Sequence, residues 1–275
     1  MKKYITLLLA IIALTSCDKQ LDMTICQKQM FVDDTSIHAV EIDDAWNVVI
    51  FITEESPRLE LKYSAFLEEF FDISKDGDEL EIGLNQRLNL PSNTVMEAVL
   101  YVNSLHALSA SKASDITLVG TMEAPEIHVN LNAASTLKGG MLSGDVDMVL
   151  DAASSLVDLD VVSDNCSISV LEASTFKGSI IASSQLQINL DDASRLITYG
   201  GQAPSASIEL DNASFLNMTS TEVSSMSVDL KNVSEANVFV TTSLSGVLRN
   251  VSQLFYQGNP SLDLNCDLTS SYRPL

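Results

Sequence analysis

A single short phrase returns eight times along this chain. Ala113-Ser114, Ala134-Ser135, Ala153-Ser154, Ala173-Ser174, Ala193-Ser194, Ala213-Ser214, Val233-Ser234 and Val251-Ser252 recur at serine-to-serine intervals of 21, 19, 20, 20, 20, 20 and 18. A period this steady is the signature of a repeat architecture and outranks local propensity. Around each serine the apolar positions alternate. Leu131, Leu150, Val170, Leu190, Leu210, Leu230 and Leu248 stand four before it, and Val129, Met148, Ile168, Ile188, Ile208 and Val228 stand six before it. Two after it come residues such as Ile116, Leu137, Leu156, Phe176 and Leu196. Alternation at period two reads as half-buried strand, and no apolar stripe recurs at 3.6.

A coil of about 20 residues cannot bury its own apolar side, whereas a stack of such coils can. The expected fold is therefore all-β: a single-stranded parallel β-helix, or β-solenoid, of about 20-residue coils. Crossover sterics favour the right-handed form. With strands ~4.8 Å apart, eight coils make a rod on the order of 38 Å long. Residues 107–275 form the serine-paced repeats and a C-terminal cap. Residues 37–106 are β-rich but off the repeat and are expected to supply the first irregular coils and an N-terminal cap. Asp76-Gly77 there signals a hairpin, and Ala65 to Phe71 fits one or two helical turns.

Each repeat serine shares parity with the apolar residue two later, so it is expected to point inward. Ser114, Ser135, Ser154, Ser174, Ser194, Ser214, Ser234 and Ser252 then form a column whose hydroxyls hydrogen-bond up the stack. A catalytic nucleophile is one residue beside a base, and no histidine lies near these serines in sequence. Asn212, Asn232 and Asn250 share a column two before the serine and are expected to form an amide ladder at a corner. Asp191 and Asp211, one residue earlier, are a pair with a case for Ca²⁺, which prefers oxygen ligands. No glycine-rich calcium loop accompanies them, so a solvated rim is the expected state. No metal site and no cofactor are expected.

The N-terminus carries an address. Lys2 and Lys3 precede an apolar run from Tyr4 to Leu14 that is too short to span a membrane. Leu14-Thr15-Ser16-Cys17 resembles the lipobox of bacterial lipoproteins. That resemblance implies removal of residues 1–16 and lipidation of Cys17, with residues 17–36 as a polar tether. Several acyl chains anchor stably where one does not. The remaining Cys26, Cys166 and Cys266 are odd in number and lack metal spacing, and Cys166 and Cys266 fall on inward parity as small hydrophobes.

Net charge is -22, and loss of Lys2 and Lys3 with the leader makes it -24. So acidic a surface argues against nucleic-acid partners. The single Trp46 lies outside the repeats, and His38, His106 and His128 are scattered in sequence. A polysaccharide-active enzyme, which needs paired acids and usually aromatic platforms, is thus the alternative rather than the reading.

The segment order EIDDAWNVVIFITEE, LELKYSAFLEEFFDISKDGDELEIGL and VMEAVLYVNSLHALSASKASDITLVG, followed by serine-paced β repeats, resembles the putative auto-transporter adhesin, head GIN domain family. The resemblance covers roughly 37–256. It implies an exported β-helical protein of Bacteroidetes type and carries no catalytic residue across. Ala45-Trp46-Asn47 stands where the family name expects Gly-Ile-Asn. The combined expectation is a non-enzymatic cell-envelope lipoprotein of the outer membrane or cell surface. It would be anchored through Cys17 and present a rigid rod as an adhesin, binding module or scaffold for a protein or glycan partner. A self-associating structural envelope component, forming a homo-oligomer, is the other alternative.

Overall fold

A computed structural model describes residues 21–31 and 36–275 of the chain. The leader at 1–16 and the lipidation position Cys17 lie outside the described residues. The chain is 67% strand and 2% helix and builds a β-solenoid of about eight turns with roughly 20-residue coils, in agreement with the serine spacing.

The N-terminal part runs through β1 (Ile25–Phe31), β2 (Ala39–Ile42), β3 (Asn47–Ile52) and β4 (Arg58–Ser64). A 3-10 turn over Ala65–Phe70 leads into β5 (Phe71–Asp76) and β6 (Glu79–Leu84), joined through Gly77 as a hairpin. The chain continues as β7 (Met96–Val102), β8 (Ala107–Ala110) and β9 (Asp115–Val119). Next come β10 (Thr121–Leu131), β11 (Thr136–Lys138) and β12 (Met141–Leu150). The middle coils are each one long bent strand: β13 (Ser155–Val170), β14 (Thr175–Leu190), β15 (Arg195–Leu210), β16 (Phe215–Leu230) and β17 (Glu235–Leu248). The last levels are β18 (Gln253–Gln257), β19 (Ser261–Cys266) and β20 (Ser271–Pro274).

Like residues lie above one another because the register is parallel and close to 20 residues per step. Ser155 stands beside Thr175, and Thr175 beside Arg195. Ile168, Ile188 and Ile208 form a single inward column, and Val170, Leu190 and Leu210 form the next. All six are buried. Each such side chain contributes ~1.5–3 kcal/mol once covered, and the covering comes from the coils above and below.

Register shifts between Val157 and Leu159 and between Ser163 and Asn165 divide the coil into three straight pieces. The piece before the repeat serine is the first face, the piece after it the second, and the piece between the shifts the third. Gly144 sits at one of these bends with φ 145°, where a Cβ would come 1.8 Å from the Ala124 carbonyl oxygen of the coil below. Only glycine lets the backbones approach that closely.

The N-terminal end is stacked out of chain order. β2 pairs in parallel with β6 on one side and β8 on the other, while β3 lies between β7 and β9. The chain therefore starts on the second level, lays the first level as β6 and β7, and steps past itself to continue as β8. Antiparallel β4 covers the edge of β7, and antiparallel β1 covers β4. Covering the parallel edge removes a template for unwanted pairing. This corrects the tether boundary: within residues 17–36, β1 belongs to the cap, with Cys26 and Met30 packed against the core.

The repeat also extends beyond its eight legible copies. Trp46 occupies the serine position of the β2–β3 coil. Its carbonyl accepts from Asp115 N at 2.9 Å, as the Ser114 carbonyl accepts from Thr136 N at 2.8 Å. Trp46 is fully buried beside Phe71, ring centroids 5.4 Å apart, and fills the base of the rod. At the far end Ser270 continues the column, its hydroxyl accepting from Ser252 N at 3.1 Å.

Candidate functional surface

The sharpest feature of each coil is the corner between first and second faces. Two successive residues there adopt the left-handed conformation, for example Ala133 (φ 50°) and Ala134 (φ 65°), or Asn232 (φ 52°) and Val233 (φ 68°). Asp44 and Ala45 do the same on the Trp46 level. Left-handed backbone costs a non-glycine residue roughly 1–2 kcal/mol. In return it reverses the peptide, so the corner amide donates to the next coil up: Ala153 N reaches Glu172 O and Ala173 N reaches Asp192 O, each at 2.8 Å. Just before the corner the upper coil donates down, as Asp151 N does to Leu131 O. The hydrogen-bond ladder thus continues around the corner instead of breaking there.

All eight repeat serines are buried. Their hydroxyls do not form the expected continuous ladder. Ser114, Ser234 and Ser252 turn back to the carbonyls of Ser111, Lys231 and Arg249, three residues earlier, at 2.8, 2.5 and 2.5 Å. Ser174 accepts from Ser154 N, and Ser194 meets Ser214 at 3.4 Å. The Ser135 and Ser154 hydroxyls have no partner among the described residues. The physical reason is proximity: the carbonyl that closes the tight corner is nearer than the hydroxyl one coil away. The hydroxyls of Ser114, Ser234 and Ser252 thus fasten the corner, while those of Ser174, Ser194 and Ser214 link neighbouring coils.

The amide column does link the stack. Asn212 Nδ2 donates to Asp191 at 2.9 Å and to Asp192 at 3.1 Å. Asn232 Nδ2 donates to Asp211 at 2.6 Å, and Asn250 Nδ2 to Asn232 Oδ1 at 2.9 Å. Asn250 N then donates to Asp267 at 2.7 Å. Asp191 and Asp211, the Ca²⁺ candidates, each also accept the next residue's amide, at 2.8 Å. Their Oδ1 atoms are therefore bound by the rim's own donors. Asp267, which accepts from Asn250, Thr269 and Ser270, is held well below the ordinary carboxylate range, chiefly by the Asn250 amide.

The histidines scattered in sequence come together at one edge of the first face. His106 N donates to His38 O and His128 N to His106 O, both at 2.8 Å, and the His38 and His106 rings lie 6.3 Å apart. His38 Nδ1 contacts Ser104 Oγ at 3.0 Å. His128 also borders a shallow groove of about 260 Å³ with Glu126, Asp145 and Asp147, floored by Cys166. His128 Nδ1 is 3.9 Å from Asp147, both side chains being 58% exposed. Side-chain and backbone hydrogen bonds from Asn165 hold Asp145 below its ordinary value. Asp145 itself is thus poorly suited to protonate a glycosidic oxygen. Burial pushes the Cys166 thiol up to about 12, which keeps it protonated and inert.

Glu41 is the one carboxylate among the described residues whose affinity for its proton is clearly raised. Desolvation is the main cause, with Asp43, Glu79 and Glu81 adding repulsion. It lies beside Glu81 across the β2–β6 pair. Nothing in its sequence context singled it out, since the detour that stacks β6 under β2 is a tertiary event.

Taken together these features define a class: an all-β parallel solenoid with a covered N-terminal end, stitched corners and flat, regular polar faces. The chain belongs to the family described as putative auto-transporter adhesin, head GIN domain, whose model matches residues 38–260. Solved structures share the fold. A putative adhesin from Parabacteroides merdae superposes with TM-score 0.66 at 13% identity, covering 91% of this chain and 96% of that one. A putative adhesin from Parabacteroides distasonis gives TM-score 0.67 at 12% identity, covering 92% and 98%. A protein described as a putative lipid binding protein, also from Parabacteroides distasonis, gives 0.62 at 11%, covering 93% and 98%. At these identities the likeness is one of fold. Comparison with curated proteins finds no match.

Proposed function

We propose that the chain is an exported lipoprotein, anchored through Cys17, whose β-solenoid serves as a non-enzymatic adhesin at the cell envelope of a Gram-negative bacterium. The observation that carries this reading is the adhesin-family match over 38–260, which spans the stack from the β2–β3 coil through β18. The leader ending in Leu14-Thr15-Ser16-Cys17 supports the address. Stacked coils suit the task because each adds one strip of outward residues in the same geometry and gives a rigid binding face at little entropy cost on contact.

Two measurements test it. Labelled fatty acid should enter the wild type and not Cys17→Ser expressed in a Gram-negative host. The purified chain should bind immobilised host matrix or an arrayed glycan without consuming it. Turnover of any glycan by the wild type, or retention of the label in Cys17→Ser, would contradict the reading.

A further inference from the structure

The charge of this chain is segregated between faces. On the first face the outward columns hold Glu126, Asp145, Asp147, Glu209, Asp229 and Asp263, with no lysine or arginine in the segments from 126–130 to 261–265; of these carboxylates Asp229 is paired at the corner with Lys231 and Arg249. On the second face the outward columns hold Lys138, Lys177, Arg195 and Arg273 against Asp115 and Glu235. A basic strip on a chain of net charge -22 is not a by-product of composition.

Two of these cations lie on neighbouring coils and are uncommitted. Thr175 pairs with Arg195 and Lys177 with Ile197, so Lys177 and Arg195 are diagonal neighbours on the outer surface. Lys138 is neutralised by Asp115 at 3.0 Å, whereas neither Lys177 nor Arg195 forms an ion pair among the described residues. The Arg195 guanidinium lies 4.6 Å from the centre of the Phe215 ring on the next coil, and Arg273 repeats the arrangement on Phe255 at 4.8 Å. Arg58 also lies on a ring, that of Tyr101, but Glu55 and Glu60 take up its donors. A guanidinium held over a ring face by its charge still has N–H groups to offer a carboxylate.

We propose that this second face, centred on Lys177, Arg195 and Phe215, is the docking strip for a linear carboxylate-bearing polysaccharide laid along the stacking axis. The inference rests on the adhesin reading and names its ligand class. Three features favour this occupant. The strip is one short strand segment wide, ~10 Å for three residues. It is flanked by acid on both sides: the corner rim with Asp151, Glu172 and Asp192, and the third face with Asp158 and Asp160. A thin chain with one carboxylate per sugar ring fits between those rims. A nucleic acid, with a phosphate every ~3.4 Å per strand, places more charge there than the strip neutralises. A second copy of this chain brings acidic rims against acidic rims.

The test titrates the full-length chain with alginate, a linear polyuronate, and compares neutral dextran and oligodeoxythymidylate. Alginate should bind, more weakly as salt is raised, and dextran should not. Lys177→Glu with Arg195→Glu should lower alginate affinity roughly tenfold or more. Phe215→Ala should give a smaller loss, because it frees the guanidinium without removing it. Ser207→Glu with Ser227→Glu on the first face should leave affinity unchanged, with thermal unfolding confirming that every variant folds. Equal alginate binding by the strip variant, or oligodeoxythymidylate bound as tightly through the same residues, overturns the proposal. Failure to bind alginate while another matrix or glycan is still bound overturns it and leaves the adhesin reading standing. Failure to bind anything overturns both.

Discussion

At the scale of single residues, the corners carry strain that the sequence did not minimise. Val233 is β-branched, 61% exposed and held at φ 68°, so its side chain gains little burial to offset a backbone it disfavours. Val233→Gly should raise stability by about 1 kcal/mol, read as a higher urea midpoint with unchanged slope. A lower midpoint would mean that the valine packs in a way its exposure does not reveal. Inside the stack the tolerance is opposite. Leu190 is fully buried between Val170 and Leu210, and Leu190→Asp places an unpaired charge where no water reaches. That variant should fail to fold, with loss of the β-sheet circular dichroism signal; a native-like spectrum would contradict the column.

At the scale of elements, hydrogen bonds that cross coils and those that stay within one have separate tasks. The amide ladder from Asp191 to Asn250 ends on Asp267, whose carboxylate gathers donors from Asn250, Thr269 and Ser270. Its proton affinity is lowered on folding, so it stabilises the fold above the ordinary carboxylate value of 3.8, and that contribution is lost as pH falls from there toward the folded value. Asp267→Asn should therefore melt below the wild type at neutral pH, and the gap should close as pH drops through and below that ordinary value. A gap that is constant with pH would assign the effect to geometry and not to charge. The amide ladder was legible because Asn212, Asn232 and Asn250 repeat in sequence. The direction of the serine hydroxyls was not, since the competing acceptor is a main-chain carbonyl that every residue carries.

At the scale of the whole molecule, the repeat was legible where the chain climbs one coil at a time and hidden where it does not. Trp46 belongs to the same column as Ser114, yet the chain between them runs through β4, the β5–β6 hairpin and β7. That detour erased the 20-residue interval, and tryptophan replaced the serine that marks it. The His38–His106 neighbourhood and the Glu41–Glu81 pair were invisible for the same reason. The basic strip needed only the spacing, because knowing which residues share a column sorts the charges into faces.

Modularity gives a prediction at this scale. Excising one full coil, Thr175 to Ser194, joins Ser174 to Arg195 in the same phase and should leave a shorter rod that still unfolds cooperatively. Removing only 175–184 shifts every later column and should abolish folding.

The stacking itself is measured most directly by distances along one column. Nitroxide labels at Ser155 paired in turn with Arg195, Glu235 and Ser271 span two, four and six coils. Pulsed electron paramagnetic resonance should give separations near ~10, ~19 and ~29 Å, growing linearly with coil number. Separations that do not increase in equal steps would contradict the parallel stack and everything derived from its faces.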